Sequence, residues 1–362
     1  MKKAGRVRTF QTILVTGGAG FIGSNLIRYL LGPAGFPGKV VNLDSLTYAG
    51  NLESLADITG SLGAERYCFE RVDIRDAPAV HAVFERHRPD AVIHLAAESH
   101  VDRSILAPRD FLDTNVLGTF NLLESARAAW KDRSDVLFHH VSTDEVYGSL
   151  GETGKFTETS PYDPRSPYSA SKAASDHLVC AYFHTYGLPI TLSNCSNNYG
   201  PRQFPEKLVP LMIMNMMEGR SLPVYGDGRN VRDWLYVEDH ASAIWLIMRA
   251  GALGERYNVG GESEWENIRL LRELMAAVSR RTGRDARDFE GLITYVKDRP
   301  GHDRRYAIDC SKIKRELGWS QALSFSEGLE RTVDWYICNP GWIERVRSGA
   351  YRQWIETNYG AR

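Results

Sequence analysis

A tyrosine and a lysine four residues apart, Tyr168 and Lys172, have side chains suited to proton transfer. Ser166 is a predicted helix N-cap and Pro167 suits the first helical position, so the pair lies on one face of a predicted helix. A neighbouring ammonium and a helix N-terminus both lower the pKa of a phenol. The pattern predicts a base that takes a proton from a secondary alcohol while hydride leaves the same carbon for a nicotinamide cofactor. On spacing alone, an exposed helix pair is the commoner explanation.

Two adjacent carboxylates and a hydroxyl precede this pair in the chain. The apolar run 136–138 predicts a buried strand, and Thr143, Asp144 and Glu145 follow where that strand ends. Oxidation of an alcohol acidifies the neighbouring C–H bond, and two carboxyl groups in unequal environments can act as base and acid. We therefore predict that one carboxylate removes this proton while the other, held protonated, gives a proton to a departing hydroxyl. An Asp-Glu pair alone is more often solvated, so the prediction depends on a segment upstream.

That segment is a glycine-rich turn between a strand and a helix. Residues 12–16 are apolar and β-branched, residues 24–31 have helical spacing, and Gly17, Gly20 and Gly23 lie between them. Such glycines let the backbone approach a pyrophosphate, which rests on the helix N-terminus. The order of elements predicts a dinucleotide-binding site.

Asp44 selects between the two common dinucleotides. It closes the predicted strand 39–44 at the position expected of a carboxylate that accepts hydrogen bonds from the adenosine ribose. Such a carboxylate repels a 2′-phosphate, and residues 45–47 contain no arginine to hold one. The prediction is NAD rather than NADP, although an aspartate that ends a strand is also a common turn former.

Composition limits the possible classes of protein. The chain has 362 residues, a formal net charge of −1 and a pI of about 6.8, so no basic excess predicts binding to nucleic acid or to an anionic membrane. The five cysteines are scattered and form no C-x-x-C pair, as expected of reduced thiols in the cytoplasm. We predict no metal site and no membrane span.

Alternating strand-like and helical segments predict an α/β fold with a doubly wound parallel (Rossmann) sheet. One helix is expected over roughly 109–130, and strands at 232–237 and 256–261 are expected to return to the sheet. From about residue 204 the character changes, which predicts a second, smaller mixed α/β substrate-binding lobe. The NAD-binding domain is assigned to 1–195, with 234–262 returning to it, and the lobe to 196–233 and 263–350.

Polar and basic residues of the second half suit a phosphorylated ligand. Asn197 and Asn198 precede a Gly-Pro turn and could hold ligand hydroxyls, although turn formation alone also explains them. Lys207, Arg232 and Arg299 could together clamp a diphosphate, because cationic side chains match phosphate oxygens.

With these residues in view, the chain resembles the extended short-chain dehydrogenase/reductase family. Within that family it is most similar to the bacterial 4,6-dehydratases that act on dTDP-glucose. The similarity runs from the glycine turn to residue 302, and its most specific motifs are residues 142–148 (STDEVYG), 197–201 (NNYGP) and 204–208 (FPEKL).

The resemblance implies a tightly held NAD⁺ that is reduced and reoxidised in one turnover. Hydride leaves sugar C4 while Tyr168 takes the hydroxyl proton, Thr143 hydrogen-bonds the same oxygen and Lys172 tunes Tyr168. Glu145 removes the C5 proton, and Asp144 protonates the C6 hydroxyl as water leaves. Hydride then returns to C6 and a proton to C5, which gives a 4-keto-6-deoxy sugar.

The positional match also assigns binding residues. Those expected to line NAD are Gly17, Gly20, Phe21, Ile22, Gly23, Asp44, Ser45, Leu46, Thr47, Asp73, Ile74, Leu95, Ala96, Ala97, Ser99, Thr114, Tyr168, Lys172 and Asn198. Those expected to line the nucleotide-sugar are Ser99, Thr143, Asp144, Glu145, Asn197, Lys207, Leu208, Pro223, Val224, Tyr225, Arg232, Asn267, Asp298, Arg299 and His302. Family members usually form homodimers through paired helices, here 109–130 and 167–186.

Three alternatives remain open at this stage. Arg202 and residues 264–266 are less typical of the family, which leaves a UDP-, CDP- or GDP-sugar possible as substrate. A UDP-sugar 4-epimerase shares the fold but has no need of Asp144 and Glu145. A catalytically idle NAD-binding regulator would be expected to lack the base, which this chain has.

Overall fold

The computed structural model describes residues 7–298 and 303–347. Twelve strands lie within these residues: β1 (Thr12–Thr16), β2 (Lys39–Asp44), β3 (Tyr67–Arg71), β4 (Ala91–His94), β5 (Leu137–Thr143), β6 (Ile190–Cys195), β7 (Asn197–Tyr199), β8 (Leu222–Tyr225), β9 (Val231–Tyr236), β10 (Arg256–Val259), β11 (Glu264–Glu266) and β12 (Ile293–Val296).

The same part of the chain forms fourteen α-helices: α1 (Phe21–Leu31), α2 (Ala56–Ser61), α3 (Ala77–His87), α4 (Val101–Leu106), α5 (Pro108–Phe111), α6 (Gly118–Ala129), α7 (Pro167–Tyr186), α8 (Leu208–Glu218), α9 (Val237–Ala250), α10 (Asn267–Thr282), α11 (Ala286–Glu290), α12 (Ser311–Leu317), α13 (Phe325–Cys338) and α14 (Pro340–Val346). Short 3₁₀ turns cover Leu52–Leu55 and Asp144–Tyr147.

Seven strands form one sheet in the order β10-β6-β5-β4-β1-β2-β3, and each neighbouring pair is parallel. The strand order reverses at β1, which pairs with β2 on one side and with β4 on the other. In such sheets ligands bind outside the carboxyl ends of the strands at the reversal point. The predicted doubly wound parallel sheet is confirmed.

Helices cover both faces of this sheet because successive strand residues point to opposite sides. In β1, Leu14 packs in a core with α3, α6 and α7, whereas Ile13 and Val15 pack in a second core with α1 and α9. A strand buried on both faces must be apolar throughout, which explains the runs of valine, isoleucine and leucine in the sequence.

The second half of the chain builds two small sheets around a separate core. One has the order β11-β9-β7, with β7 and β9 parallel and β9 and β11 antiparallel, and the other pairs β12 with β8. Their core includes Met212 and Met216 of α8 and Leu270 and Leu274 of α10. This is the smaller mixed α/β part that the sequence predicted. The residue boundaries between the two parts stay a prediction.

Two details differ from the expectation. Of the two segments expected to rejoin the large sheet, β10 does so, but β9 pairs with β7 and β11 instead. The helix expected over 109–130 is interrupted by a π-helical segment, Leu112–Leu117. There the Asn115 carbonyl accepts side-chain hydrogen bonds from Thr119 and Ser175, which compete with the regular helical bond.

Candidate active site

The carboxyl end of β5 delivers three of the predicted catalytic side chains. All seven residues of β5 are buried, and the 3₁₀ turn Asp144–Tyr147 follows at once. Thr143 caps this turn, because its Oγ1 accepts a hydrogen bond from the Glu145 N–H at 3.3 Å. The Thr143 hydroxyl also lies 3.4 Å from Oδ1 of Asp144, to which it donates. The strand and its cap thus fix the hydroxyl and both carboxyl groups at one edge of the sheet.

The N-terminal part of α7 supplies the other two predicted catalytic side chains, Tyr168 and Lys172. Ser166 and Ser169 form a capping box and Pro167 occupies the first turn, as the sequence predicted for Ser166 and Pro167. Lys172 lies one turn beyond Tyr168, and its Nζ donates to the Val141 carbonyl at 2.9 Å, which fixes the lysine against β5. Tyr168 and Thr143 line the same cleft.

The protonation of two of these groups is set mainly by burial. Burial, followed by the charges of Glu145 and Asp233, raises the pKa of Asp144 well above its ordinary value. Asp144 therefore suits the role of a carboxyl group held protonated. Burial and then Glu145 raise the pKa of Tyr168 as well. The predicted lowering of the Tyr168 pKa is thus wrong for this structure, because burial next to an acid outweighs the helix N-terminus and Lys172.

The glycine turn leaves no room for side chains. Gly17 has φ +70°, and a Cβ there would lie 2.8 Å from the backbone of Ala96. A Cβ on Gly23 would lie 2.2 Å from the Gly17 carbonyl oxygen. Gly20 is the N-cap of α1 and has no side chain to cap the first N–H groups. These N–H groups border the cleft and form the cradle that a pyrophosphate requires.

Asp44 lies beside this turn at the end of β2. One of its carboxylate oxygens accepts from the Ala19 N–H at 3.0 Å and the other from the Leu46 N–H at 2.8 Å. The side chain borders the cleft, and each oxygen keeps a second lone pair for a ribose hydroxyl. Leu46 has φ +57° and does not line the cleft, unlike its neighbours Ser45 and Thr47.

A cleft of about 500 Å³ brings the predicted groups together. It is lined by the predicted catalytic set Thr143, Asp144, Glu145, Tyr168 and Lys172. It is also lined by the predicted cofactor residues Gly17, Gly20, Phe21, Ile22, Gly23, Asp44, Ser45, Thr47, Asp73, Ile74, Leu95, Ala96, Ala97, Ser99, Thr114 and Asn198.

A second cavity of about 180 Å³ adjoins the cleft, and Glu145 and Asn197 border both. It is lined by the predicted substrate residues Ser99, Glu145, Asn197, Lys207, Leu208, Pro223, Val224, Tyr225, Arg232 and Asn267. Asp298 borders neither space and lies next to Gly226. Arg299 and His302 lie outside the described residues, so the predicted three-cation clamp is represented here by Lys207 and Arg232.

Several lining residues were not predicted. Gln203 and Glu206 border both spaces, Cys195 and Ser196 border the cleft, and Trp234 borders the second cavity. Trp234 could have been found, because the period of two along β9 places it on the same side as Arg232. Gln203 and Glu206 become neighbours of the cofactor cleft only through tertiary packing.

Some buried polar atoms of the second cavity have no hydrogen-bond partner within the described residues. They are Asn197 Oδ1, Gln203 Oε1, Trp234 Nε1 and Asn267 Oδ1. Buried polar groups are normally paired, so an unpaired set along one cavity fits a polar ligand. Within residues 7–298 and 303–347 there is no cluster of three or more potential metal ligands, and no helix is long and apolar enough to span a membrane.

Comparison with known proteins agrees with this geometry. The model of the family described as GDP-mannose 4,6 dehydratase matches residues 14–332. The dTDP-glucose 4,6-dehydratase 1 of Escherichia coli (strain K12) is 53% identical, over 97% of this chain and 99% of its own. Among solved structures, the dTDP-glucose 4,6-dehydratase DesIV of Streptomyces venezuelae, with NAD bound, has a TM-score of 0.85 and 47% identity over 93% of this chain and 100% of its own.

An epimerase is similar to a lesser degree. The UDP-glucose 4-epimerase of Thermus thermophilus, in complex with NAD, has a TM-score of 0.79 and 32% identity over 91% of this chain and 100% of its own. Both enzymes share the fold, but the dehydratase is closer in sequence. By its family match and by identity above one half over nearly its whole length, this chain belongs to the GDP-mannose 4,6 dehydratase family within the extended short-chain dehydrogenases/reductases, as its sequence predicted.

Proposed function

We propose that the protein is an NAD-dependent hydro-lyase that converts dTDP-glucose to dTDP-4-keto-6-deoxyglucose and water. The observation that carries the proposal is the placement of Asp144 and Glu145 in the same cleft as Tyr168 and Lys172, next to the glycine turn. Relatives with this activity are 53% identical over nearly the whole chain. The product belongs to deoxysugar biosynthesis.

The residues present fit NAD. The glycine turn leaves space where a side chain would collide, and Asp44 keeps acceptor capacity towards the cleft. When bound, NAD⁺ would accept hydride from sugar C4 and return it to C6.

Tyr168 is the base for the C4 hydroxyl. Thr143 lines the same cleft as Tyr168 and can donate to the same sugar oxygen, so the two side chains together orient the alcohol. Lys172 is held one turn away by the Val141 carbonyl, and its ammonium favours the phenolate form of Tyr168 that accepts the C4 hydroxyl proton.

Glu145 and Asp144 each carry out one proton transfer of the elimination step. Glu145 is half-buried and borders both spaces, so it removes the proton from C5 once C4 is a ketone. Asp144 is buried and has a raised pKa, so it carries the proton that the C6 hydroxyl takes up as it leaves as water.

The second cavity takes the nucleotide part of the substrate. Lys207 and Arg232 are its cations and suit the diphosphate, since both border the cavity from loops or strands of the smaller part. Asn197 and Asn267 contribute buried carbonyl oxygens that can accept from ligand hydroxyl or base N–H groups. Another nucleotide base is the alternative within the same reaction class.

The 4-epimerase is the second candidate, because its fold is similar and its chemistry shares oxidation at C4. Asp144 and Glu145 weigh against it, since inversion at C4 requires no acid–base pair for C5 and C6. A non-catalytic regulator is disfavoured by the complete catalytic set in the cleft.

The test is to incubate the protein with dTDP-glucose deuterated at C4 and to analyse the product by mass spectrometry and NMR. Loss of water with deuterium at C6 supports the proposal. Inversion at C4 supports the epimerase, and no turnover with bound NAD supports the regulator. The corresponding UDP-, CDP- and GDP-glucose, assayed in parallel, determine the base preference.

We also propose a cytoplasmic homodimer. The five cysteines are all free, which suits a reducing compartment. Five large apolar side chains on α4, α6 and the π segment are exposed: Ile105 (41%), Leu106 (71%), Leu112 (52%), Leu117 (53%) and Phe120 (41%). We name these five residues the α4–α6 patch. An apolar group of this size on a monomer marks an interaction site, and the family expectation places the dimer contact on these helices.

A further inference from the structure

Asp176 is a fully buried carboxylate to which the proposed chemistry gives no role. It lies in α7, one turn beyond Lys172 and two turns beyond Tyr168, so the three residues share one face of the helix. Its exposed fraction is 0%. A charge is expensive to bury unless it is hydrogen-bonded and compensated, so this position requires a physical reason.

Three donors converge on one oxygen of Asp176. Its Oδ2 accepts from Ser142 Oγ at 2.9 Å, from Tyr162 O–H at 2.6 Å and from Asn194 Nδ2 at 3.4 Å. These donors come from β5, from the segment before α7 and from β6. Hydrogen bonds of this kind favour the ionised form of a carboxyl group.

The other oxygen faces His140. Oδ1 lies 3.1 Å from His140 Nε2, although the two atoms are not aligned for a hydrogen bond. Burial acts to raise the pKa of Asp176, but the surrounding groups, first His140 in its protonated form and then Lys172 and the Tyr162 hydrogen bond, outweigh burial and lower it. At neutral pH, where His140 is uncharged, the three donors on Oδ2 favour the carboxylate.

Lys172 is the nearest cation on the same helix. Its side chain is buried, and within the described residues no carboxylate lies within ion-pair distance of it. Its ammonium donates to the Val141 carbonyl. Val141 lies in β5 between His140 and Ser142, the two residues of that strand that contact Asp176. Burial lowers the pKa of Lys172, and Asp176 is the largest opposing influence.

The other titratable groups around the pair do not supply a negative charge. Burial lowers the pKa of His140 to about 4, lowers that of His94, and raises that of Cys195 to about 12. All three are neutral near pH 7. The remaining groups that face the pair are Tyr147 and Tyr162, whose pKa values burial raises, Tyr168, and the cation Arg256.

We propose that Asp176 is a positioning residue whose buried negative charge keeps Lys172 cationic beside Tyr168 and the cofactor site. The inference deepens the proposed function and rests on it for the role of Lys172. Ser142, Tyr162 and Asn194 fix the carboxylate one helical turn beyond Lys172. The charge acts through space rather than through a direct ion pair.

The first test is the pH dependence of NAD⁺ affinity and of turnover, measured for wild type, Asp176→Asn and Tyr162→Phe. In Asp176→Asn we expect the alkaline decline of both quantities to begin roughly one pH unit lower, because Lys172 loses its proton more easily. Tyr162→Phe removes one hydrogen bond but keeps the charge, so its decline should stay at the wild-type pH. The proposal would be overturned if Asp176→Asn lowered NAD⁺ affinity and turnover by the same factor at every pH while their alkaline decline stayed at the wild-type pH.

The second test does not depend on activity. Unfolding by urea is compared for wild type, Asp176→Asn, Lys172→Met and the double variant. We expect Asp176→Asn to be less destabilising in the Lys172→Met background, by roughly tenfold in the unfolding equilibrium constant, because no uncompensated ammonium remains. If Asp176→Asn destabilises the wild type and Lys172→Met equally, the inference is contradicted, even if the dehydratase activity is established. If the two substitutions are coupled in stability but the protein has no dehydratase activity, the inference is supported and the proposed function fails.

Discussion

Asp144 and Glu145 are adjacent in the chain, but their carboxyl groups lie in different surroundings. The Asp144 side chain is 1% exposed, with Oδ2 buried and unpaired within the described residues, whereas Glu145 is half-buried and borders both the cleft and the second cavity. The 3₁₀ turn that begins at Asp144 causes this difference, because successive side chains of a turn point in different directions. A buried, protonated acid next to a more accessible carboxylate is the arrangement that an elimination requires.

The first prediction concerns Glu145→Gln. The amide keeps the shape of the side chain but cannot accept the C5 proton, so turnover should fall by roughly 10²- to 10⁴-fold while NAD⁺ affinity and the thermal midpoint stay near wild type. The measurements are product formation and exchange of the C5 hydrogen with deuterated water. Glu152→Gln, at an exposed carboxylate beyond the turn, is the matched control and should leave turnover unchanged. Full activity of Glu145→Gln would remove this residue from the mechanism.

The second prediction concerns stability and pH at Asp144. Its folded pKa is raised, so the folded protein keeps a proton that the unfolded chain releases above about pH 4. Stability is therefore lost as pH rises from that value towards the folded pKa. Asp144→Asn removes this titration and should be more stable than wild type at pH 8 by roughly 1–2 kcal/mol.

The stability that Asp144→Asn gains over the wild type should decrease as pH falls towards about 4, where Asp144 is protonated in both the folded and the unfolded protein. Urea unfolding at several pH values between about 5 and 8 measures it. A gain that does not change with pH would show that Asp144 is not the titrating group. The same variant should lose turnover, since an amide cannot protonate the leaving hydroxyl.

The third prediction concerns the glycine turn. In Gly23→Ala the new Cβ would lie 2.2 Å from the Gly17 carbonyl oxygen and 2.6 Å from the Gly18 Cα, so the turn must move. We expect NAD⁺ affinity to fall at least tenfold, because the backbone can no longer approach the pyrophosphate. Isothermal titration calorimetry measures the change.

Gly60→Ala is the control for this experiment. Gly60 lies in α2, and a Cβ there would have no neighbour within 4 Å. It should leave NAD⁺ affinity unchanged and stabilise the protein by up to about 1 kcal/mol through helix propensity. Unchanged affinity in Gly23→Ala would contradict the cradle assigned to this turn.

The parts of the fold that depend on local patterns were predicted well from the sequence. The strands Thr12–Thr16 and Lys39–Asp44 have their predicted bounds. The glycine turn and the cap at Ser166 were found for the same reason. Their geometry is determined by a few neighbouring residues, so a short stretch of sequence is enough to predict it.

The features that the sequence did not predict depend on packing between distant segments. The side chain of Asp176 is bonded by Tyr162 and Ser142, which are 14 and 34 residues away, and the pKa of Tyr168 depends on burial by several elements. The π segment likewise follows from Ser175 of α7, which bonds the Asn115 carbonyl 60 residues away. No periodicity within one segment contains such information.

The fourth prediction concerns the homodimer. Leu112 and Leu117 are about half exposed on the π segment, within the α4–α6 patch. Each leucine that is buried in an interface stabilises it through roughly 25 cal/mol per Å² of apolar area, and a buried lysine would leave its charge unpaired. The double variant Leu112→Lys with Leu117→Lys should therefore sediment as a monomer, while the wild type sediments as a dimer. Met217→Lys, on α8 of the smaller part and 42% exposed, is the matched control and should remain dimeric. If the double variant also stays dimeric, the α4–α6 patch is not the dimer contact.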